Sequence, residues 1–173
     1  MQFLFRPCVF EMDHQAYMNF LIVRHDELNL PYPFAMKLSF ISSPLMYGKA
    51  MLVFEEESYE LVGAAGFVYG TGADDYEDRR IVQVEVAYLL KPYRGGTLFS
   101  RFLLAMVDLM KEEEPNVCRV RFWASARDSV QERLFAKFLA LPGSMSQMAE
   151  NGLTLYEAEF SELEAYCQQF SRQ

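Results

Sequence analysis

An alternating run that stops at a pair of glycines and restarts as a helical stripe sets the tightest limit on this fold. Over residues 80–90, Val82, Val84, Val86 and Tyr88 fall on one face and Gln83, Glu85 and Ala87 on the other. That is the period of a β-strand. Beyond Arg94-Gly95-Gly96 the period changes. Leu98, Phe99, Phe102, Leu103, Met106, Val107, Leu109 and Met110 make a broad apolar stripe, ending at Lys111-Glu112-Glu113-Glu114-Pro115. A strand that turns on glycines straight into a helix aims backbone N–H groups and the positive helix end at one spot. No acidic residue lies between Glu85 and Asp108, whereas Lys91, Arg94 and Arg101 do. The chain as a whole carries 16 basic and 24 acidic side chains, a net charge of −8, so this stretch reverses the local sign. It reads as a cradle for phosphate or pyrophosphate, or as a tight turn with a few solvated cations.

The rest of the chain supplies layers around that unit. A short strand at 3–6 is ended by Pro7, and Asp13 is expected to cap a helix running to about residue 28, before Pro31 and Pro33. A second short helix at 34–41 is expected to stop at Ser42-Ser43-Pro44. Strands follow at 50–55 and 59–69, and Gly63 and Gly66 inside the latter mark a bulge or a close backbone approach. The polar stretch 70–78 reads as a hairpin loop. Past the central helix come a strand at 117–123 and a helix opened by Ser129-Val130-Gln131-Glu132, which is closed by Pro142-Gly143. Asn151-Gly152 then turns a hairpin, and a last helix opens at Ser161. The order β-α-α-β-β-β-α-β-α-β-β-α predicts an α/β protein with a mixed central sheet flanked by helices. With no repeat or linker in its 173 residues, it reads as a single domain over 1–173.

Charge and composition remove several functions. An acidic chain repels a polyanion before contact, so no nucleic-acid partner is expected, while cationic small molecules are attracted. No run approaches the ~20 apolar residues of a membrane span, and the opening Met1-Gln2-Phe3-Leu4-Phe5-Arg6-Pro7 has no basic leader. Cys8, Cys118 and Cys167 are odd in number and widely spaced, and His14 and His25 make a poor metal set. These features predict a cytoplasmic protein with reduced thiols, no membrane partner and no metal. Cys118 reads as a small buried residue. The last helix, with Tyr166 and Phe170, docks on the sheet or builds a homodimer contact.

The segment Tyr88-Leu89-Leu90-Lys91-Pro92-Tyr93-Arg94-Gly95-Gly96-Thr97-Leu98 resembles motif A of the GCN5-related N-acetyltransferase (GNAT) family. Phe5-Arg6-Pro7-Cys8 with Asp13 is similar to that family's opening strand and helix, and residues 128–138 to its motif B helix. Thr97 stands at the first motif glycine and Phe99 at the following small residue. The resemblance implies a GNAT-like acyl-CoA N-acyltransferase fold with acetyl-CoA as co-substrate. It implies that Arg94 and the backbone amides of Gly95, Gly96, Thr97, Leu98 and Phe99 hold the pyrophosphate. Main-chain groups of Leu89 and Leu90 would pair with pantetheine, and Asp128 would touch the cofactor arm. It also implies direct transfer of the acetyl group to an amine in a ternary complex.

An alkylamine of pKa ~10 is about one part in a thousand neutral at pH 7, a handicap of roughly 4 kcal/mol, so a base is useful. Glu85, an acid within an apolar strand just before the cofactor segment, is the candidate, or else it is exposed or paired with an arginine. Many family members protonate the leaving thiolate with a tyrosine, but the matching residue here is Phe135. Tyr88 and Ser125 are the substitutes by proximity, or packing and capping residues. The expected activity is acetyl transfer to a small cationic amine acceptor. The alternatives are a protein acetyltransferase with an open cleft, and a non-catalytic CoA-binding or protein-interaction domain of the same fold.

Overall fold

A computed structural model of the protein describes residues 1–125 and 129–171. The chain runs β1 (Phe3–Pro7), α1 (Glu11–Val23), α2 (Phe34–Tyr47), β2 (Gly48–Glu55), β3 (Leu61–Tyr69), β4 (Ile81–Leu89), α3 (Gly96–Glu113), β5 (Arg119–Ala124), α4 (Ser129–Leu139), β6 (Met145–Met148), β7 (Thr154–Glu159) and α5 (Phe160–Gln168). The strands form one sheet in the order β1-β2-β3-β4-β5-β7-β6. Every neighbouring pair is antiparallel except β4 and β5, which are parallel and joined across the sheet by α3. This is the mixed sheet that the order of elements predicts.

Each face of the sheet has its own core. On one, Tyr17, Phe20 and Leu21 of α1 and Ile41 of α2 cover Ala50, Leu52, Ala64, Val86 and Tyr88. On the other, Leu98, Phe102, Met106 and Met110 of α3 pack with Leu163 and Cys167 of α5 over Met51, Val53, Phe67, Val82 and Val120. The last helix thus docks on the sheet, and Tyr166 lies against the same core. Around Phe122, Phe135 and Phe138 of α4 meet Tyr156 of β7, with ring centroids 4.8 Å apart for Phe135 and Tyr156. Phe135, the residue at the family's acid position, is therefore packed in an aromatic cluster.

Several local expectations are corrected. Helix α1 starts earlier than Asp13, because that carboxylate caps from inside the first turn. Its Oδ2 accepts the N–H groups of Val9 and Phe10, each at 3.1 Å, and its Oδ1 pairs with Arg6 at 3.0 Å. Burial opposes ionisation of Asp13, yet those donors and the Arg6 charge outweigh it and hold the carboxyl below the usual range. The helix also ends sooner, at Val23, before a 3₁₀ turn over His25–Glu27. Pro44 does not stop α2, which runs on to Tyr47. The Ser43 hydroxyl donates at 3.5 Å to the Phe40 carbonyl that Pro44 cannot serve. Cys118 is exposed, because Val117 takes the core position and β5 begins one residue later.

The largest correction falls on β4. Gly66 of β3 faces Val86, but the next residue, Phe67, faces Val84, so Glu85 is an extra residue in a β-bulge. The bulge switches the side-chain alternation. Val82 and Val84 point toward α3, whereas Val86 and Tyr88 point toward α1 and α2. The single face expected for all four is thus broken at Glu85. Gly66 is glycine because a Cβ there would lie 2.4 Å from the Tyr17 hydroxyl oxygen and 2.6 Å from Pro44. That absence of a side chain lets α1 and α2 reach the sheet beside the bulge.

Candidate active site

The site is built where β4 parts from β5. Their ladder runs from Ile81 opposite Arg119 to Val84 opposite Phe122 and stops there. Yet β4 continues to Leu89 and β5 to Ala124. From Glu85 onward the two parallel strands leave a wedge, and the chain leaves the top of β4 for the glycine turn.

At that turn Gly95 has φ +87° and Gly96 φ +63°, and a Cβ on either would meet nothing within 4 Å. Left-handed backbone with open space around it leaves the first-turn N–H groups of α3 uncovered, and these have no intrahelical carbonyl to bond. Thr97 is exposed at the same end. Leu98 is buried in the core and Phe99 packs against it, so both offer the turn only their backbone. The bulky Phe99 side chain thus stays on the core side. These residues fit a pyrophosphate held on main-chain amides.

Arg94 is turned back on the strand. Its Nε donates to the Leu89 carbonyl at 2.7 Å and its guanidinium lies 5.1 Å from the centre of the Tyr88 ring. The Leu90 N–H donates to Val62 on β3 at 2.8 Å. In this state the Leu89 carbonyl and Leu90 amide, expected to pair with pantetheine, have partners inside the protein. Asp128 lies outside the described residues.

Glu85 sits on the α1–α2 face with neighbours that sequence reading does not connect. Gln83 Nε2 donates to its Oε1 at 3.3 Å, and Gln83 Oε1 in turn accepts from Arg121 Nε at 2.9 Å. Gln83 and Arg121 are register partners across the parallel ladder, which fixes this bridge. Burial pushes the Glu85 carboxyl up to about 7, against the opposing pull of the Gln83 hydrogen bond and the Arg121 charge. Tyr17 and Tyr76 stand near enough that the Glu85 charge raises both phenols, burial being the larger cause in each. The Tyr76 ring stacks on Tyr47 at 4.1 Å.

This shift has a stability consequence. The folded carboxyl holds its proton up to about 7 and the unfolded one only to about 4.5, so the native state binds more protons between them. Stability contributed by this site therefore falls as pH rises from about 4.5 to about 7, by on the order of 2–3 kcal/mol, and is flat above. Glu85→Gln should flatten that slope and melt higher than the unaltered protein at pH 8. Denaturant titrations of both proteins at pH 5 and pH 8 check this, and parallel pH profiles would contradict it.

The other two catalytic candidates are placed differently. Tyr88 shares the Glu85 face, and its hydroxyl donates to Glu27 at 2.9 Å. Burial first, then Glu27, raise that phenol above its ordinary value. Ser125 follows β5, and its carbonyl accepts from Asn29 Nδ2 at 2.8 Å. Tyr32, on the same α1–α2 connection, accepts from Asn151 at 3.2 Å. That connection is therefore tied across the ends of β5 and the β6–β7 hairpin. The acidic run after β3 is partly structural, because Asp78 accepts from the Thr71 amide at 2.7 Å and its hydroxyl at 3.0 Å.

Gln83, Arg121 and Tyr17 are the site residues that sequence reading passes over. Arg119 and Arg121 alternating within an apolar strand were a signal for one, and a Gln beside a Glu on one strand for another. Tyr17 gives none, since it reads as an ordinary core aromatic. Among the described residues no group of His, Cys, Asp and Glu could hold a metal ion, and no helix is long and apolar enough to cross a membrane.

Sequence comparison finds no matching family model and no matching curated protein. Comparison of folds finds many solved structures. An acetyltransferase of the GNAT family from Staphylococcus aureus Mu50 has a TM-score of 0.62 at 12% identity, over 91% of this chain and 99% of its own. One from Streptococcus pneumoniae gives 0.59 at 15% identity, over 91% and 99%. A GNAT-family protein from Desulfovibrio desulfuricans gives 0.64 at 12%, over 92% and 99%. The bulged strand, the wedge and the glycine turn thus sit in a chain whose fold is that of the GNAT acyl-CoA N-acyltransferases.

Proposed function

We propose that this protein is an N-acetyltransferase that moves an acetyl group from acetyl-CoA directly to a primary amine of a small cationic acceptor. The observation that carries the reading is Glu85, a half-buried carboxyl at the bulge where β4 and β5 part, on the strand that leads into the Gly95–Gly96 turn. Residues 95–99 would hold the pyrophosphate of acetyl-CoA, which supplies an activated thioester. Pairing of the β4 edge with pantetheine would require Arg94 to release the Leu89 carbonyl.

Glu85 is the base in this reading. An amine of pKa ~10 must give up a proton to attack, and raising the carboxyl from 4.5 to about 7 shrinks the uphill transfer by about 3 kcal/mol. Gln83 holds one carboxyl oxygen, so the other is left to receive the proton. A thiol of pKa ~8.5 is a tolerable leaving group, so Phe135 need not be replaced by a donor. A small acceptor is favoured over a peptide by the two hydrogen bonds from Asn29 and Asn151 that tie the α1–α2 connection across the strand ends. The chain's net charge of −8 favours a cationic acceptor at encounter. The cytoplasm, where acetyl-CoA and reduced thiols coexist, is the compartment this reading requires.

Thiol release from acetyl-CoA with a linear diamine, an aminoglycoside or a lysine peptide tests the reading. Release with either small amine and little with the peptide is expected. Release with the peptide alone would overturn the acceptor class. With no release at all, the non-catalytic domain, favoured by the packed Phe135, would replace the enzyme.

A further inference from the structure

Tyr17 has no solvent exposure, and its hydroxyl has no hydrogen-bond partner among the described residues. A buried orphan hydroxyl loses its bonds to water and gains none in return, so retaining a tyrosine there in place of phenylalanine needs a reason. Its position supplies one. The hydroxyl lies over Gly66, 2.4 Å from where a Cβ would stand, and Gly66 faces Val86, the residue after Glu85 in the bulge. The bulge brings Glu85 onto the face that α1 covers, and the carboxyl's only hydrogen bond among the described residues is from Gln83 to Oε1.

We propose that Tyr17 is a positioning residue for Glu85, its phenol donating through one bound water to the ionised carboxylate. Such a water would have the Tyr17 hydroxyl on one side and the Glu85 carboxylate on the other as polar partners. The donor favours the charged form of Glu85 and holds the carboxylate in one orientation, so that the proton it receives arrives on a fixed oxygen. The groups facing this pair are Arg121 from β5, Gln83 from β4, Tyr76 from the β3–β4 connection with Tyr47 of α2 stacked on it, and Cys8 after β1. Burial raises the Glu85 carboxyl, and Gln83 and Arg121 favour the carboxylate against it. The catalytic meaning of this arrangement rests on the acetyltransferase reading, but the hydrogen bond does not.

The test is a carboxyl-carbon NMR titration of Glu85, made on the full chain without acyl donor or acceptor, so that an inactive protein would still report it. In Tyr17→Phe the Glu85 midpoint should rise by half a unit or more. With 3-fluorotyrosine at residue 17, a stronger donor, it should fall. A folded Tyr17→Phe protein whose Glu85 midpoint is unmoved would overturn the proposal, even if its melting temperature changed, since packing alone alters stability without altering that titration. If Tyr17→Phe does not fold, the fluorinated protein decides: a lower midpoint supports the proposal and an unchanged one overturns it.

Discussion

Glu85→Gln is expected to lower turnover of acetyl transfer by about 10²–10⁴-fold, the usual contribution of a positioned general base. The substitution keeps the size of the side chain and an oxygen for Gln83 to bond, so the bulge and the wedge should survive it. What it removes is the ionisable carboxyl at the parting of β4 and β5, the one that partial burial pushes up to about 7. Affinity for acetyl-CoA should change less than twofold, because the proposed cradle lies beyond the far end of the strand, on the backbone of residues 95–99. The loss should be in kcat, and the remaining activity should lose its dependence on a group titrating near 7. Steady-state kinetics across pH with a fixed amine measures this. A mutant with full activity would remove Glu85 from the chemistry.

Gly96→Val should weaken acetyl-CoA binding by tenfold or more. The backbone there is left-handed, at φ +63°, where a β-branched side chain is strained by roughly 1–2 kcal/mol. No protein atom lies within 4 Å of the added Cβ, so the fold itself offers no clash. The new side chain would stand in the open space through which a phosphate would have to reach the first N–H groups of α3 in the proposed cradle, and relief of strain would tilt those groups away. Calorimetric titration with acetyl-CoA reads the effect directly. Unchanged affinity in a folded Gly96→Val protein would undo the cradle assignment.

The order of elements was legible because periodicity changes sharply along this chain. The alternation before Arg94 and the apolar stripe after Gly96 leave little choice but strand, turn and helix. The turn itself could be located from Gly95 and Gly96, whose left-handed backbone is a local property. Glu85 could be singled out as an acid in an apolar strand. Its setting could not, because the bulge arises from how β3 and β4 register, and no single strand records its partner's register. Gly66 hinted at it. The links through Gln83 to Arg121, and the approach of Tyr17, join residues 38 and 68 positions distant from their partners, a matter of packing. Pro44 misled for a similar reason, since the serine hydroxyl that serves the orphaned carbonyl is invisible to propensity alone.

The most direct measurement is thermal unfolding with and without acetyl-CoA. A ligand at a hundredfold over its Kd adds about 2.7 kcal/mol to the folded state, which for a chain of this length is roughly 5–10 °C in Tm. A rise of that size, absent in Gly96→Val, is the predicted result. No shift at millimolar acetyl-CoA would contradict the account, leaving the wedge between β4 and β5 without the ligand it is argued to hold.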